Sequence, residues 1–400
     1  MRKPSTITLI YMARALRGFG DGFAVIVMPA YLSALGYGPA TIGLVATVAM
    51  FGSAATTTGV GFLGRSHDLR NLLLLGGLLM AMTGFLLSGF DQIAIIMVIV
   101  FIGTMNPNAG NTGLMIPLEH AALAGDAAHE QRTDIFARYS LVGSMSVAAG
   151  ALAAALPDIL VANGLLGSLA SLRAMFVLYA ILGLGAAALY AQIPRYRSKE
   201  EKPAHSVLGP SRGVVFKLAA LFSIDSFAGG FTVQSLLALW LFETFDLSLA
   251  QASLFFFWSN VLTAFSFLIA ARLSRRIGLI NTMVFTHIPA NICMILAAFS
   301  PNLAVALTLL LVRSALAQMD VPARSSYVMA VVTPEERPAA ASFTAVPRTL
   351  AAAISPSLAG LMLAGPFAAL PLVLGGGLKI IYDFALLYTF RNVRPPEERD

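Results

Sequence analysis

Residues 194–213 read Pro-Arg-Tyr-Arg-Ser-Lys-Glu-Glu-Lys-Pro-Ala-His-Ser-Val-Leu-Gly-Pro-Ser-Arg-Gly, with charges at Arg195, Arg197, Lys199, Glu200, Glu201, Lys202 and Arg212. Such a stretch is too polar for hydrocarbon, and no other linker of this length interrupts the chain. On either side the sequence is apolar in blocks of span length, about 20 residues each. Six candidate spans precede it, near 7–34, 41–64, 71–89, 93–116, 135–156 and 170–192, and six follow, near 214–242, 248–272, 279–299, 303–327, 339–364 and 368–390. The composition agrees: 58% of the 400 residues are apolar and 12% charged, with a mean hydropathy of +0.79, against about 45 to 50% and about 25% in an ordinary globular protein. An all-α membrane protein of twelve transmembrane helices is expected. Its domains are 1–193, a cytoplasmic linker 194–213, and 214–400. A secreted soluble domain and a disordered scaffold are excluded.

The basic start, Arg2 and Lys3 before an apolar stretch, imitates a secretory signal, but Arg14, Arg17 and Asp21 interrupt the apolar core and no small-residue cleavage site follows. It reads as a retained first span. Cytoplasmic loops keep Lys and Arg, and here the basic residues fall on one set of loops: Arg65 and Arg70, Arg132, the linker, Arg272 to Arg276, Arg337, and the two termini. The alternate loops, near 35–40, 90–92, 157–169, 243–247, 300–302 and 365–367, have none. Both termini are therefore expected in the cytoplasm, and the net charge of +6 belongs to a face that meets anionic lipid, so no nucleic-acid partner is needed. One cysteine, Cys293, allows neither an internal disulfide nor a cysteine metal cluster. Gly375-Gly376-Gly377 lacks a phosphate-loop lysine and reads as helix packing. No ATP site, cofactor, metal or enzyme activity is expected.

The halves match at an offset of about 205 to 210 residues. Phe19-Gly20-Asp21-Gly22-Phe23 parallels Phe227-Ala228-Gly229-Gly230-Phe231. Gly61 to Arg65 parallels Ala271 to Arg275, and Glu130-Gln131-Arg132 parallels Glu335-Glu336-Arg337. Six spans, a basic linker and six similar spans make a duplicated plan used by secondary transporters.

On these residues the chain resembles the major facilitator superfamily over about residues 7–392. Gly61, Arg65 and Arg70 are similar to the family's loop between spans two and three, although Arg65 stands where an Asp is usual and Asp68 follows three residues later. Val332-Thr333-Pro334-Glu335-Glu336-Arg337 resembles the loop between spans ten and eleven. Asn106-Pro107-Asn108 occupies the depth of the family's span-four arginine, and Arg313 lies at the corresponding depth of span ten. Span five, with glycines from Gly143 to Gly150, lacks the proline of the antiporter motif. Met105 to Glu119 and Arg132 to Gly143 also resemble an uncharacterised bacterial and fungal branch. The resemblance implies two pseudo-symmetric six-helix bundles working by alternating access.

An ionised side chain at the bilayer centre costs about 2.5 to 3.5 kcal/mol, so each should face a cavity or a partner. With a rise of about 1.5 Å per residue, Arg17, Asp21 and Asp225 lie near mid-membrane. Arg14, Arg17 and Asp21 share a helix face, which lets Arg17 pair with Asp21. Asp225 has no basic neighbour on its own helix, so it must protonate, bind a cation or pair with another helix. The expected proton-coupling set is thus Asp225, Asp21 and Arg17. The amides of span four, around Pro107 and Gly110, suit a broken helix turned toward solute, and Asn106, Asn108, Gln234 and Arg313 are the expected substrate contacts. Glu119, Arg138, Arg324 and Arg348, with Arg65 and Asp68, are expected to form a cytoplasmic gate. Lys379 and Asp383, four apart on span twelve, are expected to neutralise one another outside the site. His287 reads as a lone structural histidine, and Trp240 as an interfacial anchor.

Arg14, Arg17, Arg313 and Arg324 outnumber Asp21, Asp225 and Asp320 on spans one, four, seven and ten, which leans toward an anionic or zwitterionic solute. The expected function is a proton-coupled exporter of a small organic solute, a monomer in the bacterial inner membrane whose partners are solute, protons and lipids. Proton symport uptake is the alternative, and a non-transporting protein such as a scramblase or assembly partner is the alternative in another class.

Overall fold

The computed structural model describes residues 5–63, 68–109, 113–126, 132–195, 209–333 and 336–391. They form sixteen α-helices and, among the described residues, no strand. In chain order these are α1 (Thr6–Ala34), α2 (Pro39–Leu63), α3 (Leu69–Gly89), α4 (Ile93–Ile102), α5 (Met115–Asp126), α6 (Arg132–Ala153), α7 (Leu156–Ala162) and α8 (Ser168–Tyr190). They continue as α9 (Arg212–Gly230), α10 (Gln234–Phe245), α11 (Leu249–Ile277), α12 (Leu279–Phe299), α13 (Leu303–Leu316), α14 (Asp320–Ala330), α15 (Arg337–Leu363) and α16 (Leu370–Phe390). Each expected span has its helix, but spans four, seven and ten are broken, into α4 and α5, α9 and α10, and α13 and α14. The short α7 is an addition after span five. By length and composition nine segments among the described residues can cross a membrane unaided.

Local chemistry sets the helix ends. Ser5 caps α1, accepting from the Thr8 amide at 3.3 Å, and Asn302 caps α13 through the Val305 amide at 3.2 Å. Each supplies an acceptor that a first-turn N–H lacks. Between α11 and α12 the chain turns at Gly278, whose φ of +84° is a left-handed conformation that suits a residue without Cβ. Large apolar side chains stay exposed along the helices, among them Phe85, Ile181, Phe285 and Ile381. Water would penalise such a surface, whereas lipid does not.

The helices pack as two compact units, residues 1–201 with 234–260, and residues 202–233 with 261–400. Residues 234–260, which the sequence division assigns to 214–400, thus pack with the first unit. Within the first unit the main pairings are α3 with α8, α1 with α6 and α1 with α8; within the second, α12 with α16, α9 with α15 and α9 with α16. The repeat noticed in the sequence recurs in the packing. Phe19 and Phe23 stack edge-to-face with ring centres 5.9 Å apart, and Phe227 and Phe231 do the same at 5.2 Å.

Glycine permits the closest approach. A Cβ on Gly22 would strike the Val147 carbonyl oxygen, one on Gly150 the Phe19 carbonyl oxygen, and one on Gly230 the Ala352 carbonyl oxygen. These obstacles are backbone, so a side chain there must separate the helices. Gly150→Ala is expected to destabilise the protein by about 1–3 kcal/mol, the usual cost of overpacking. Gly377→Ala, where nothing lies within 4 Å, should melt as the parent does. Thermal unfolding of the two purified variants checks the contrast.

Candidate functional site

Each unit buries its own charge network. In the first, Glu119 on α5 is fully buried and gathers three donors. The Arg17 guanidinium of α1 pairs with its Oε2, the Tyr139 hydroxyl of α6 donates to the same oxygen at 2.5 Å, and the Tyr190 hydroxyl of α8 donates to Oε1 at 2.5 Å. Arg17 Nε donates in turn to Tyr190 Oη at 3.0 Å. Four helices therefore meet on one carboxylate, and this buried pair has hydrogen bonds on both Glu119 oxygens, the arrangement that makes a buried charge tolerable.

Two expectations change here. Arg17 pairs with Glu119 rather than with Asp21, because α5 packs on α1 at the level of Arg17 and offers its carboxylate directly. Glu119, expected at the gate, is the centre of a buried network. Asp21 instead accepts from the Tyr179 hydroxyl at 3.2 Å. It lines, with Arg17, Ser53, Thr56 and Thr104, a cavity of about 20 Å³. That volume holds about one water and no organic solute. Arg14 lies over the Tyr139 ring at 5.2 Å, against Gly143, where a Cβ would meet its guanidinium.

The break in span four brings the amide residues together. Asn106 Oδ1 accepts from the Asn108 amide at 2.9 Å, and its Nδ2 donates to Ser53 Oγ at 3.2 Å. Asn108 Oδ1 accepts from the Gln234 amide at 3.2 Å, while Gln234 Nε2 donates to Asn260 Oδ1 at 3.4 Å. The Ser235 amide reaches the Pro107 carbonyl at 3.2 Å. Three expected substrate residues, Asn106, Asn108 and Gln234, thus share one region of the first unit, but their amides bind one another and the unwound backbone. The fourth, Arg313, belongs to the second unit, where its Nε is buried without a hydrogen-bond partner among the described residues.

In the second unit Asp225 is no lone carboxylate. Lys379 Nζ of α16 donates to its Oδ1 at 2.6 Å and Arg324 Nη1 of α14 to its Oδ2 at 2.9 Å. Arg324 also pairs with Asp320 at 3.2 Å, and its guanidinium lies over the Phe222 ring at 5.6 Å. Lys379 and Asp383 therefore do not neutralise one another. Four-residue spacing puts them on one face, yet that face is turned inward, so Lys379 reaches α9 and Asp383 reaches His287 of α12, with Oδ1 to Nδ1 at 3.0 Å. His287 is buried beside both carboxylates, its Nε2 being 4.0 Å from Asp225 Oδ1.

Arg324, expected at the gate, lies in this buried network. Arg348 donates from Nε to Ser226 Oγ at 3.1 Å. Arg138 is exposed, Asp68 caps α3 by accepting from the Arg70 amide at 3.0 Å, and Arg65 lies outside the described residues. Trp240 is buried against Phe245 and is not an interfacial anchor.

Sequence reasoning missed Lys379, His287, Asp383, Tyr139 and Tyr190. One signal was available for the principal pairs: Arg17 aligns with Asp225, and Glu119 with Arg324, at the repeat offset of about 205 to 210 residues. The two ion pairs occupy equivalent places with opposite polarity.

At the start of α15, Glu336 accepts from the Thr333 hydroxyl at 3.2 Å and from the Gly209 amide. Hydrogen bonds from Ser211, Gly209 and Thr333 hold its carboxyl below the usual carboxylate range. A depressed carboxylate contributes stability that is present above its unfolded pKa and lost as pH falls through the folded one. Acidification below about pH 4, or Glu336→Ala at neutral pH, is therefore expected to speed hydrogen exchange at the Gly209 amide, measured by mass spectrometry.

Comparison with known proteins places the fold. The family model of the Major Facilitator Superfamily matches residues 10–318. The chain is 22% identical to the uncharacterized membrane protein YJR124C of Saccharomyces cerevisiae, over 97% of this chain and 94% of that one. Among solved structures it resembles the nucleoside transporter NupG, with a TM-score of 0.75 and 14% identity over 97% of this chain and 100% of that one. It also resembles a D-xylose-proton symporter, with a TM-score of 0.75 and 16% identity over 98% of both chains. The twelve-span, all-helical chain belongs to the Major Facilitator Superfamily and is an integral membrane transporter rather than an enzyme.

Proposed function

We propose that the chain is a proton-coupled secondary transporter that exports a small organic solute by alternating access. The observation that carries this reading is the buried network on Asp225, where a carboxylate, two cations and a histidine meet at broken helices. Ionisable groups are expensive in the membrane interior and are retained there for ion and proton pathways. A side chain that titrates among them changes which pairs form, and so biases one conformation over another. Arg313, whose Nε is buried without a hydrogen-bond partner among the described residues, supports an anionic or zwitterionic solute with Arg313 as its contact in the second unit, and Asn106, Asn108 and Gln234 are the contacts proposed in the first. The domain plan proposed is 1–193 and 214–400 joined by 194–213, supported by the recurrence of the α1, α6 and α8 pairings in α9, α15 and α16. The protein proposed is a monomer of the plasma membrane, and basic residues confined to one set of loops support cytoplasmic termini.

The test is flux in vesicles holding the purified protein and the pH indicator pyranine. A panel of amino acids and hydroxy acids is first ranked by thermal shift, since a ligand at about 100 times its dissociation constant stabilises by about 2.7 kcal/mol. An imposed pH gradient should drive saturable movement of the best ligand, with protons moving the opposite way. Movement in the same direction assigns symport. No saturable flux of any panel member under either gradient overturns the reading.

A further inference from the structure

In the second unit α12 and α16 pack side by side and between them place a chain of three groups. Asp383 Oδ1 lies 3.0 Å from His287 Nδ1, and the opposite ring nitrogen, Nε2, lies 3.5 Å from Lys379 Nζ and 4.0 Å from Asp225 Oδ1. The side chains of His287, Asp225 and Asp383 are 3%, 7% and 0% exposed. The two carboxylates differ in their partners: Asp225 holds two cations, while Asp383 holds the imidazole and leaves its Oδ2 buried without a hydrogen-bond partner among the described residues.

We propose that His287 is the proton-carrying side chain of this unit and that Asp383 is its positioning residue. The inference rests on the proton-coupled reading above. Asp383 accepts from Nδ1–H and so fixes the neutral ring as the Nδ1–H tautomer, leaving the Nε2 lone pair turned toward Lys379 and Asp225. A carboxylate behind one ring nitrogen governs the chemistry of the other in this way. A proton that binds Nε2 gives an imidazolium between two carboxylates and uses no other reactant. That cation lies beside Asp225 Oδ1, where it competes with Lys379. Loading a proton therefore weakens the Lys379–Asp225 bond between α16 and α9, and losing it restores the bond.

In the ion-paired set, Asp225, Asp320 and Asp383 oppose Arg324 and Lys379, and a third cation, Arg348, stands 6.0 Å from the centre of the Phe222 ring on which Arg324 also lies. Arg348 of α15 is bonded to Ser226, and Tyr382 presents its ring to His287 with centres 6.2 Å apart. Arg313, on α13 beside α12, pairs with no carboxylate among the described residues.

The tautomer can be read without a solute. The full-length protein, labelled with ¹⁵N-histidine in lipid nanodiscs, is followed by NMR from about pH 9 to about pH 5, the range in which imidazole changes charge. The His287 signal is the one lost in His287→Gln. The expected result is a neutral Nδ1–H ring that converts to imidazolium as pH falls, and an Asp383→Asn variant whose neutral ring is no longer held in that single tautomer. An Nε2–H ring, or one that stays neutral throughout, overturns the proposal, and the parent protein alone decides this even where a variant does not fold. Flux separates the two levels of inference. Gradient-driven flux that His287→Gln leaves undiminished, against an expected loss of at least about tenfold, overturns the role of His287 alone. Flux that ignores the pH gradient in the parent overturns the proton-coupled reading itself.

Discussion

Asp225→Asn is expected to reduce gradient-driven flux to background and to destabilise the protein, and the two losses can be separated. The amide keeps the shape of the side chain but not its charge. Arg324 retains Asp320 at 3.2 Å, so the residue left without its anion is Lys379, which donates to Asp225 at 2.6 Å. Removing one member of a buried pair leaves an uncompensated charge and costs about 3–5 kcal/mol. Replacing both members by uncharged groups of similar size is often neutral, so Asp225→Asn with Lys379→Met should recover most of the thermal stability while flux stays at background. The measurements are thermal unfolding of the purified proteins and the pyranine assay in vesicles. Recovery of flux in the double variant would mean that the pair only holds α9 to α16 and that coupling lies elsewhere.

The fate of Lys379 shows where sequence reasoning ends. Composition and charge punctuation locate the spans to within about five residues, except that span four runs on to Asp126, because a span must satisfy its own backbone and its length follows from bilayer thickness. A break inside a span is harder to see. Asn106, Pro107 and Asn108 announce the one in span four, since proline removes a donor and short amides bind the freed backbone. The break at 317–319 lies one turn before Pro322, which cannot donate to the carbonyl of residue 318, while the one at 231–233 follows Gly229-Gly230 and carries no proline.

Side-chain partners are hardest of all. Spacing along one helix predicts Arg17 with Asp21 and Lys379 with Asp383, but a pair four residues apart gains only about 0.2–0.5 kcal/mol. A desolvated carboxylate on a neighbouring helix easily exceeds that. Which helix is the neighbour is a property of the packing, and only the repeat offset, which aligns Arg17 with Asp225 and Glu119 with Arg324, carried part of it in the sequence.

That alignment leads to the second large effect. Glu119→Gln is expected to cost about 3–5 kcal/mol, because it leaves the Arg17 guanidinium without its counter-ion inside the membrane, and Arg17→Gln should cost a similar amount by stranding Glu119. The second unit solves the same structural problem with the acid on α9 and the arginine on α14, so the polarity of the pair is not dictated by the helices. The exchange Arg17→Glu with Glu119→Arg should therefore fold better than the sum of its two single changes, with a coupling of up to about 3 kcal/mol in a double-mutant cycle read by thermal unfolding. Tyr190 favours this outcome, since its hydroxyl lies 3.0 Å from Arg17 Nε and can donate to a carboxylate placed at position 17. Tyr139 opposes it, because its hydroxyl donates at 2.5 Å to Glu119 and would face a second donor there. Adding Tyr139→Phe to the exchange removes that conflict and should raise the melting temperature of the exchanged protein while lowering that of the parent. If the exchanged protein is no more stable than its singles predict, with or without Tyr139→Phe, the tyrosines rather than the ion pair set the polarity of the first unit.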